Sequence, residues 1–250
     1  MKSIEEFTNK IICGDCLEVM KNIPNKSVDL VLADIPYGTT ACKWDTIIPI
    51  EPMWEQLKRL IKPNGAIVMT ASQPFSTTLI ASNMKMFKYC WVWEKTNVTN
   101  HLNAKHQPMK KTEDVAAFCK GKPPYYPQGL VACEITCRGR KSHHSDNYGK
   151  VKVGEHKQSY TNYPNNIIKI ESQSNTIHPT QKPVALMEYL IKTYTNEGEL
   201  VLDFTAGSGT TGVACIRTNR KYILIEILEK YCKIAEHRLK DVDPLFHQNK

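Results

Sequence analysis

Apolar and polar positions along the 250 residues follow two rhythms. Short continuous apolar runs, each closed by turn-forming residues, read as buried strands. They are Lys10–Cys13, Val28–Ala33, Ala66–Thr70, Phe87–Glu94, Asp114–Cys119, Leu200–Phe204 and Lys221–Ile227. Apolar residues three and four apart mark helices between them. These are Cys16–Ile23, stopped by Pro24; Glu51–Ile61, closed by Lys62–Pro63–Asn64–Gly65; Gln73–Asn83; Pro183–Thr193; Thr210–Thr218; and Glu229–Lys240. Residues 121–177 hold neither rhythm for long and read as an insert. Strands alternating with helices predict an α/β fold with a doubly wound, mostly parallel sheet. No internal repeat or low-complexity tract interrupts it.

Composition narrows the class. A chain of 250 residues makes one large α/β domain with room for an insert. Apolar residues at 41% exclude a disordered protein. No apolar run approaches the roughly 20 residues of a membrane span. The start, MKSIEEFTNK, is polar and lacks a signal-peptide core. Nine cysteines without a secretory signal point to a reducing cytosol, so a cytoplasmic location and no membrane partner are expected. Cys13 and Cys16 have redox-motif spacing. Without a thioredoxin-like context they read as two unrelated thiols.

Charge changes the picture more. Residues 95–182 hold 14 Lys/Arg against 6 Asp/Glu, and the remainder holds 19 against 19. The whole net charge of +8 therefore sits in the central third. That third also holds six of the eight histidines and five of the eleven tyrosines. A basic, polar segment with interleaved aromatics suits phosphate contact and base reading.

Two strand ends carry candidate chemistry. Leu202–Asp203–Phe204 runs into Ala206–Gly207–Ser208–Gly209, a glycine-rich strand-to-helix turn where backbone can approach a ligand. A phosphate loop needs a lysine after its last glycine, and Thr210–Thr211 stands there instead. Gly207–Ser208–Gly209–Thr210–Thr211–Gly212 fits a dinucleotide fingerprint. Glu226, seventeen residues after Gly209 at the next strand end, can accept ribose hydroxyls. NAD and S-adenosylmethionine both carry such a ribose.

Asp34 ends a buried strand, followed by Ile35–Pro36–Tyr37–Gly38. Pro36 fixes the turn. A carboxylate and a neighbouring carbonyl can accept both protons of an exocyclic amine while the Tyr37 ring stacks on the heterocycle. Holding the amine by its hydrogens turns its lone pair toward an electrophile, an alignment for methyl transfer.

Taken together, these stretches resemble one family. ADIPYG, residues 33–38, closely resembles the catalytic Asp–Pro–Pro–Tyr motif of amino-methylating DNA methyltransferases. DFTAGSGTTG, residues 203–212, resembles their cofactor loop. CGDCLEVM at 13–20 resembles the family's Gly–Asp element, whose acid faces the cofactor adenine. PNGAIVM at 63–69 and HPTQKPVALMEYLI at 178–191 are similar to further core segments. The catalytic motif precedes the cofactor motif, with the basic insert between them. That is the permuted, β-class order. The resemblance implies a circularly permuted Rossmann-like fold: residues 1–120 as catalytic half, 121–177 as target recognition insert and 178–250 as cofactor half. It implies catalysis at Asp34, Ile35, Pro36 and Tyr37. It implies S-adenosylmethionine, released as S-adenosylhomocysteine, at Asp15, Asp203, Phe204, Gly207, Ser208, Gly209, Thr210 and Glu226. Lys110, Lys111, Arg138, Arg140, Lys141 and Lys182 are the candidate contacts to double-stranded DNA. Ile35 departs from the family's usual proline, although its carbonyl can still accept a hydrogen bond.

Asp rather than Ser at position 34 favours adenine N6 in this family, reached by base flipping. The alternatives are cytosine N4, an RNA substrate, or a DNA-binding module without activity. The intact Asp34–Tyr37 pair opposes the last. A sulfonium already activates its methyl group, so no metal is expected. Cys133, Cys137, His143 and His144 have ligand-like types at spacing unlike common zinc patterns. No nuclease signature is present, so a role in restriction-modification requires a partner endonuclease. A homodimer is a further candidate assembly.

Overall fold

The chain is described by a computed structural model over residues 3–38, 46–137, 156–173 and 181–242. It divides into two compact units, one of Met1–Tyr126 with Asn166–Lys250 and one of Pro127–Asn165.

The larger unit alternates strands and helices. Its first half holds β1 (Lys10–Cys13), α1 (Cys16–Lys21), β2 (Val28–Asp34), α2 (Ile50–Leu60), β3 (Ile61–Ala71), α3 (Phe75–Ser82), β4 (Phe87–Thr99) and β5 (Lys110–Phe118). The smaller unit contributes β6 (Val131–Cys137) and β7 (His156–Thr161), an antiparallel pair. The larger unit resumes with β8 (Ile167–Lys169), α4 (Val184–Tyr194), β9 (Leu200–Asp203), α5 (Thr210–Arg217), β10 (Lys221–Glu226) and α6 (Glu229–Val242). Eight strands form one sheet in the order β1-β10-β9-β2-β3-β5-β4-β8. Only β5 runs against its neighbours, so the sheet is mostly parallel, as the alternating pattern predicts. No helix among the described residues is long and apolar enough to cross a membrane.

The sheet is covered on both faces, and β2 shows the division by its period of two. Val31, Ala33 and Ile35 join a core with residues of α2 and α3. Leu30 and Leu32 join the opposite core, with Leu186 and Leu190 of α4 and Val213 of α5. The one polar residue inside this run, Asp29, accepts from Lys62 Nζ at 2.8 Å and from the Leu200 amide at 3.0 Å. Its strand is thereby tied to both flanking strands.

Three details differ from the sequence pattern. The Lys62–Gly65 turn lies inside β3 as an irregularity, since Val28 pairs Ile61 and Leu30 pairs Ala66. A Cβ on Gly65 would sit 2.6 Å from the Asp29 carbonyl oxygen, so only glycine allows that approach. Strands β4 and β5 also run past their apolar stretches, through Thr99 and back from Lys110. The smaller unit, Pro127–Asn165, is narrower than 121–177 because Ile167–Lys169 pairs with Val92–Glu94 at the sheet edge.

Candidate active site

At the sheet edge, the face turned toward α4 and α5 switches from apolar to polar. On β2 Leu32 gives way to Asp34, on β3 Val68 to Thr70, on β5 Val115 to Glu113, and on β4 Trp93 to Lys95. The registers Asp34↔Thr70 and Trp93↔Glu113 bring these ends side by side.

The polar row is linked by hydrogen bonds and ion pairs. Thr70 Oγ1 donates to Asp34 Oδ1 in a short contact. The Tyr37 hydroxyl lies 2.8 Å from the same oxygen and 3.1 Å from Thr70 Oγ1. Lys182, just ahead of α4, donates to Asp34 Oδ2 at 2.8 Å. Its Nζ also lies 3.2 Å from Glu113 Oε2, and Lys95 Nζ lies 3.0 Å from Glu113 Oε1. Lys182 is only 7% exposed. Burial alone would lower its pKa, yet Asp34, Tyr37 and Glu113 together hold it well above the usual lysine value. Burial would likewise raise Glu113, but Lys182 and Lys95 outweigh it and hold that carboxyl low. Burial, reinforced by Asp34, keeps the Tyr37 phenol un-ionised. The Tyr37 ring is stacked on Phe75 at 5.7 Å, with Lys182 Nζ 5.9 Å from its centroid.

A second cluster forms where β9 and β10 end. Asp203, 3% exposed, accepts from the Thr205 amide at 3.0 Å and from Thr211 Oγ1 at 2.6 Å. Burial raises its pKa to about 7. Glu226 accepts from the Gly207 amide at 2.8 Å and the Leu228 amide at 2.9 Å. Asp15 Oδ1 caps α1 through the Leu17 and Glu18 amides, leaving Oδ2 outside that bond set. Gly209 opens α5 at φ 77°, and a Cβ there would meet Ala235 Cβ at 2.8 Å. Arg238 from α6 clamps the turn through the Ser208 carbonyl at 2.6 Å. Phe204 is buried at the cavity wall, and the Thr210 hydroxyl is 3.3 Å from Arg238.

The clusters share one space. A cavity of about 1260 Å³ is lined by Asp34, Tyr37 and Lys182 on one side and by Asp15, Asp203 and Glu226 on the other. Thr205 bridges them, its hydroxyl donating to the Asp34 backbone carbonyl at 3.1 Å. Neither Asp203 nor Glu226 has an ion-pair partner among the described residues. Two buried carboxylates without a basic partner suit a ligand that brings positive charge and hydroxyl donors. S-adenosylmethionine brings both.

The lysines divide. Lys182 is a buried ion-pair partner, removed from the surface where a phosphate would lie. Lys110 Nζ donates to the Gln73 carbonyl at 3.0 Å at the cavity wall. Lys111, half exposed, pairs with Glu94 at 3.1 Å. Arg138, Arg140 and Lys141 lie outside the described residues, as do His143, His144 and the Cys137 side chain. Cys133 Sγ approaches the Gln158 carbonyl at 3.5 Å. No metal-holding group of three or more side chains occurs among the described residues. Thr70, Lys95, Glu113, Thr205 and Arg238 escape motif reading. The two-residue period of its strand would have found Thr70.

Comparison with known proteins agrees with this geometry. M.HinfI, a type II methyltransferase of Haemophilus influenzae, is 26% identical over 280 residues, 97% of this chain and 71% of that protein. The DNA adenine methyltransferase YhdJ of Escherichia coli is 27% identical over 245 residues, 92% and 82% respectively. The crystal structure of an M1.HpyAVI–SAM complex matches with a TM-score of 0.64 at 25% identity, covering 92% of this chain and 99% of that one. The cytosine-N4-specific PvuII DNA methyltransferase shares the fold, with a TM-score of 0.65 at 18% identity over 96% and 93% of the two chains. A family described as DNA methylase, the N6/N4 methyltransferases, matches residues 28–237. The chain therefore belongs to the N6/N4 DNA methylase family, whose methyl donor is S-adenosylmethionine.

Proposed function

We propose that this protein transfers a methyl group from S-adenosylmethionine to the exocyclic N6 of an adenine extruded from duplex DNA. One observation carries the reading. The Asp34 carboxylate is fixed at the edge of a cavity whose other wall holds buried carboxylates without a basic partner among the described residues. The cofactor supplies a methyl group already activated on a sulfonium.

This chain's residues bind and orient around that group. Glu226 accepts from the ribose hydroxyls while the Gly207 and Leu228 amides hold it in place. Asp15 uses its remaining oxygen for the adenine amine. Asp203 contributes negative charge within a dry wall. Asp34 Oδ1 accepts from the substrate amine once the Tyr37 hydroxyl turns away. Lys182 and Thr70 keep the carboxylate still during that exchange. Holding the amine by a hydrogen aims its lone pair along the transfer path. When Tyr37 swings off Phe75, its ring face becomes available to the extruded base.

Asp at position 34 and the likeness to a named adenine methyltransferase support N6 over cytosine N4. The compact Pro127–Asn165 unit, with exposed Tyr160 and Tyr163, is the proposed target recognition element. The relatives named as type II methyltransferases support a place beside an endonuclease that cuts the same unmethylated site. Action in the cytoplasm and assembly as a homodimer belong to the same proposal. The test is transfer of tritium from labelled S-adenosylmethionine to duplex DNA, then mapping of the site and mass analysis of the nucleosides. N6-methyladenine is expected. N4-methylcytosine in its place would overturn the adenine reading.

A further inference from the structure

We propose that Leu102 is the wedge that enters the DNA stack where the target base leaves it. This rests on the reading above, in which the base is extruded from a duplex.

Strands β4 and β5 continue past the core as a two-stranded arm, with Glu94 paired to Thr112 and, beyond a register shift, Thr99 to Lys110. Asn97, Thr99, Asn100 and Lys110 line the cavity that holds Asp34, so the arm stands at its rim. The tip is built. Asn100 takes a left-handed conformation at φ 75°, and Asn103 Nδ2 donates to Asn100 Oδ1 at 2.7 Å. The amides of Asn103, Ala104, His106 and Gln107 close successive turns at 2.9–3.1 Å. On that frame Leu102 stands 99% exposed. Burying such a side chain is favourable, and folding of this chain leaves that gain unclaimed.

Charge identifies what covers it. From Thr96 to Thr112 the chain carries Lys105, Lys110, Lys111, His101 and His106, and no Asp or Glu. An apolar finger set among basic residues matches duplex DNA, which has an apolar base stack between two rows of phosphates. A second copy of this chain placed arm to arm would bring the same cationic residues against it. Extrusion of a base opens a gap in the stack, and a leucine of this size fills it.

The test uses a duplex carrying the mapped site, with the target adenine either paired or opposite an abasic position, and a third duplex with 2-aminopurine at the target. Leu102→Gly should lower kcat/KM on the paired duplex about tenfold, and less than about threefold on the abasic duplex, where extrusion is less costly. It should also suppress the rise in 2-aminopurine fluorescence on binding. Leu102→Phe should retain activity. Thermal midpoint and cofactor affinity should not move, because Leu102 is exposed. Equal losses on both duplexes, no loss at all, or a changed sedimentation coefficient with normal fluorescence would each overturn the proposal. Wild-type methylation of the paired site holds the underlying reading fixed, so those outcomes fall on Leu102 alone.

Discussion

Lys182 is the counterion of Asp34: its ammonium, 148 positions away in the chain, is buried and lies 2.8 Å from Oδ2 at the cavity wall. Removing one partner of a buried pair leaves an uncompensated charge. Lys182→Met should cost about 3–5 kcal/mol of stability. A displaced Asp34 should also slow transfer on the order of a hundredfold. Chemical denaturation and single-turnover methylation measure the two effects. Turnover near wild type would show that Asp34 holds its position without the lysine.

Asp34→Ala should abolish methyl transfer and leave duplex binding intact, because the arm and the small unit are untouched. Tyr37→Ala should weaken capture of the extruded base by about 1–3 kcal/mol, the worth of one aromatic stack. Tyr37→Phe keeps the ring and loses only the hydroxyl's bonds to Asp34 and Thr70, so it should capture the base normally. Fluorescence of 2-aminopurine at the target position reads capture, and tritium transfer reads chemistry. A Tyr37→Phe defect as deep as that of Tyr37→Ala would place the role in the hydroxyl.

Loss of the Glu226 carboxylate should weaken S-adenosylmethionine by about 1.5–3 kcal/mol, the worth of a charge-assisted contact. Isothermal calorimetry on Glu226→Ala checks it. Unchanged affinity would remove this residue from the cofactor site.

Asp203 gives a pH dependence with a defined sign. Its folded pKa of about 7 lies above the ordinary aspartate value, so between roughly pH 4 and 7 the folded state binds more protons than the unfolded one. Stability is full below that window and falls as pH rises through it, by on the order of 4 kcal/mol. Asp203→Asn does not titrate. It should raise the thermal midpoint of the cofactor-free protein more at pH 8 than at pH 5. A difference that is the same at both values would refute the assignment.

Exchanging Pro127–Asn165 for the matching unit of a relative should change the methylated sequence while cofactor affinity stays constant. Methylation mapping decides it. A chimera that keeps the original site would place specificity in the larger unit.

The sequence pattern made the sheet and its order of chemistry legible because apolar runs and turn residues are local signals. The strand-end positions of Asp34, Asp203 and Glu226 follow from the same signals. Lys95–Thr99 and Lys110–Glu113 do not look like strand, since there the hairpin leaves the core and its face becomes polar. That disguise hides Glu113 and Lys95. It also makes Lys182, in a polar segment of a basic region, read as a DNA contact. Its burial depends on Asp34 and Glu113, acids that lie far away in the chain. Arg238 is hidden for a similar reason, because a helix tail gives no hint that it reaches Ser208.

The bond from Thr205 to the Asp34 carbonyl joins residues 171 apart, and β2 shares an edge with β9. During synthesis β2 can pair with β3 at once, but its other edge stays open until residue 203 has been made. Leu30 and Val31 wait there as an unpaired apolar margin, the kind of edge on which nascent chains associate wrongly. Contacts so distant in the chain form late and slowly. The strand that carries the catalytic carboxylate thus gains its tie to the cofactor side only once β9 has been made, and a chain arrested before it lacks Asp203, Thr205 and Glu226.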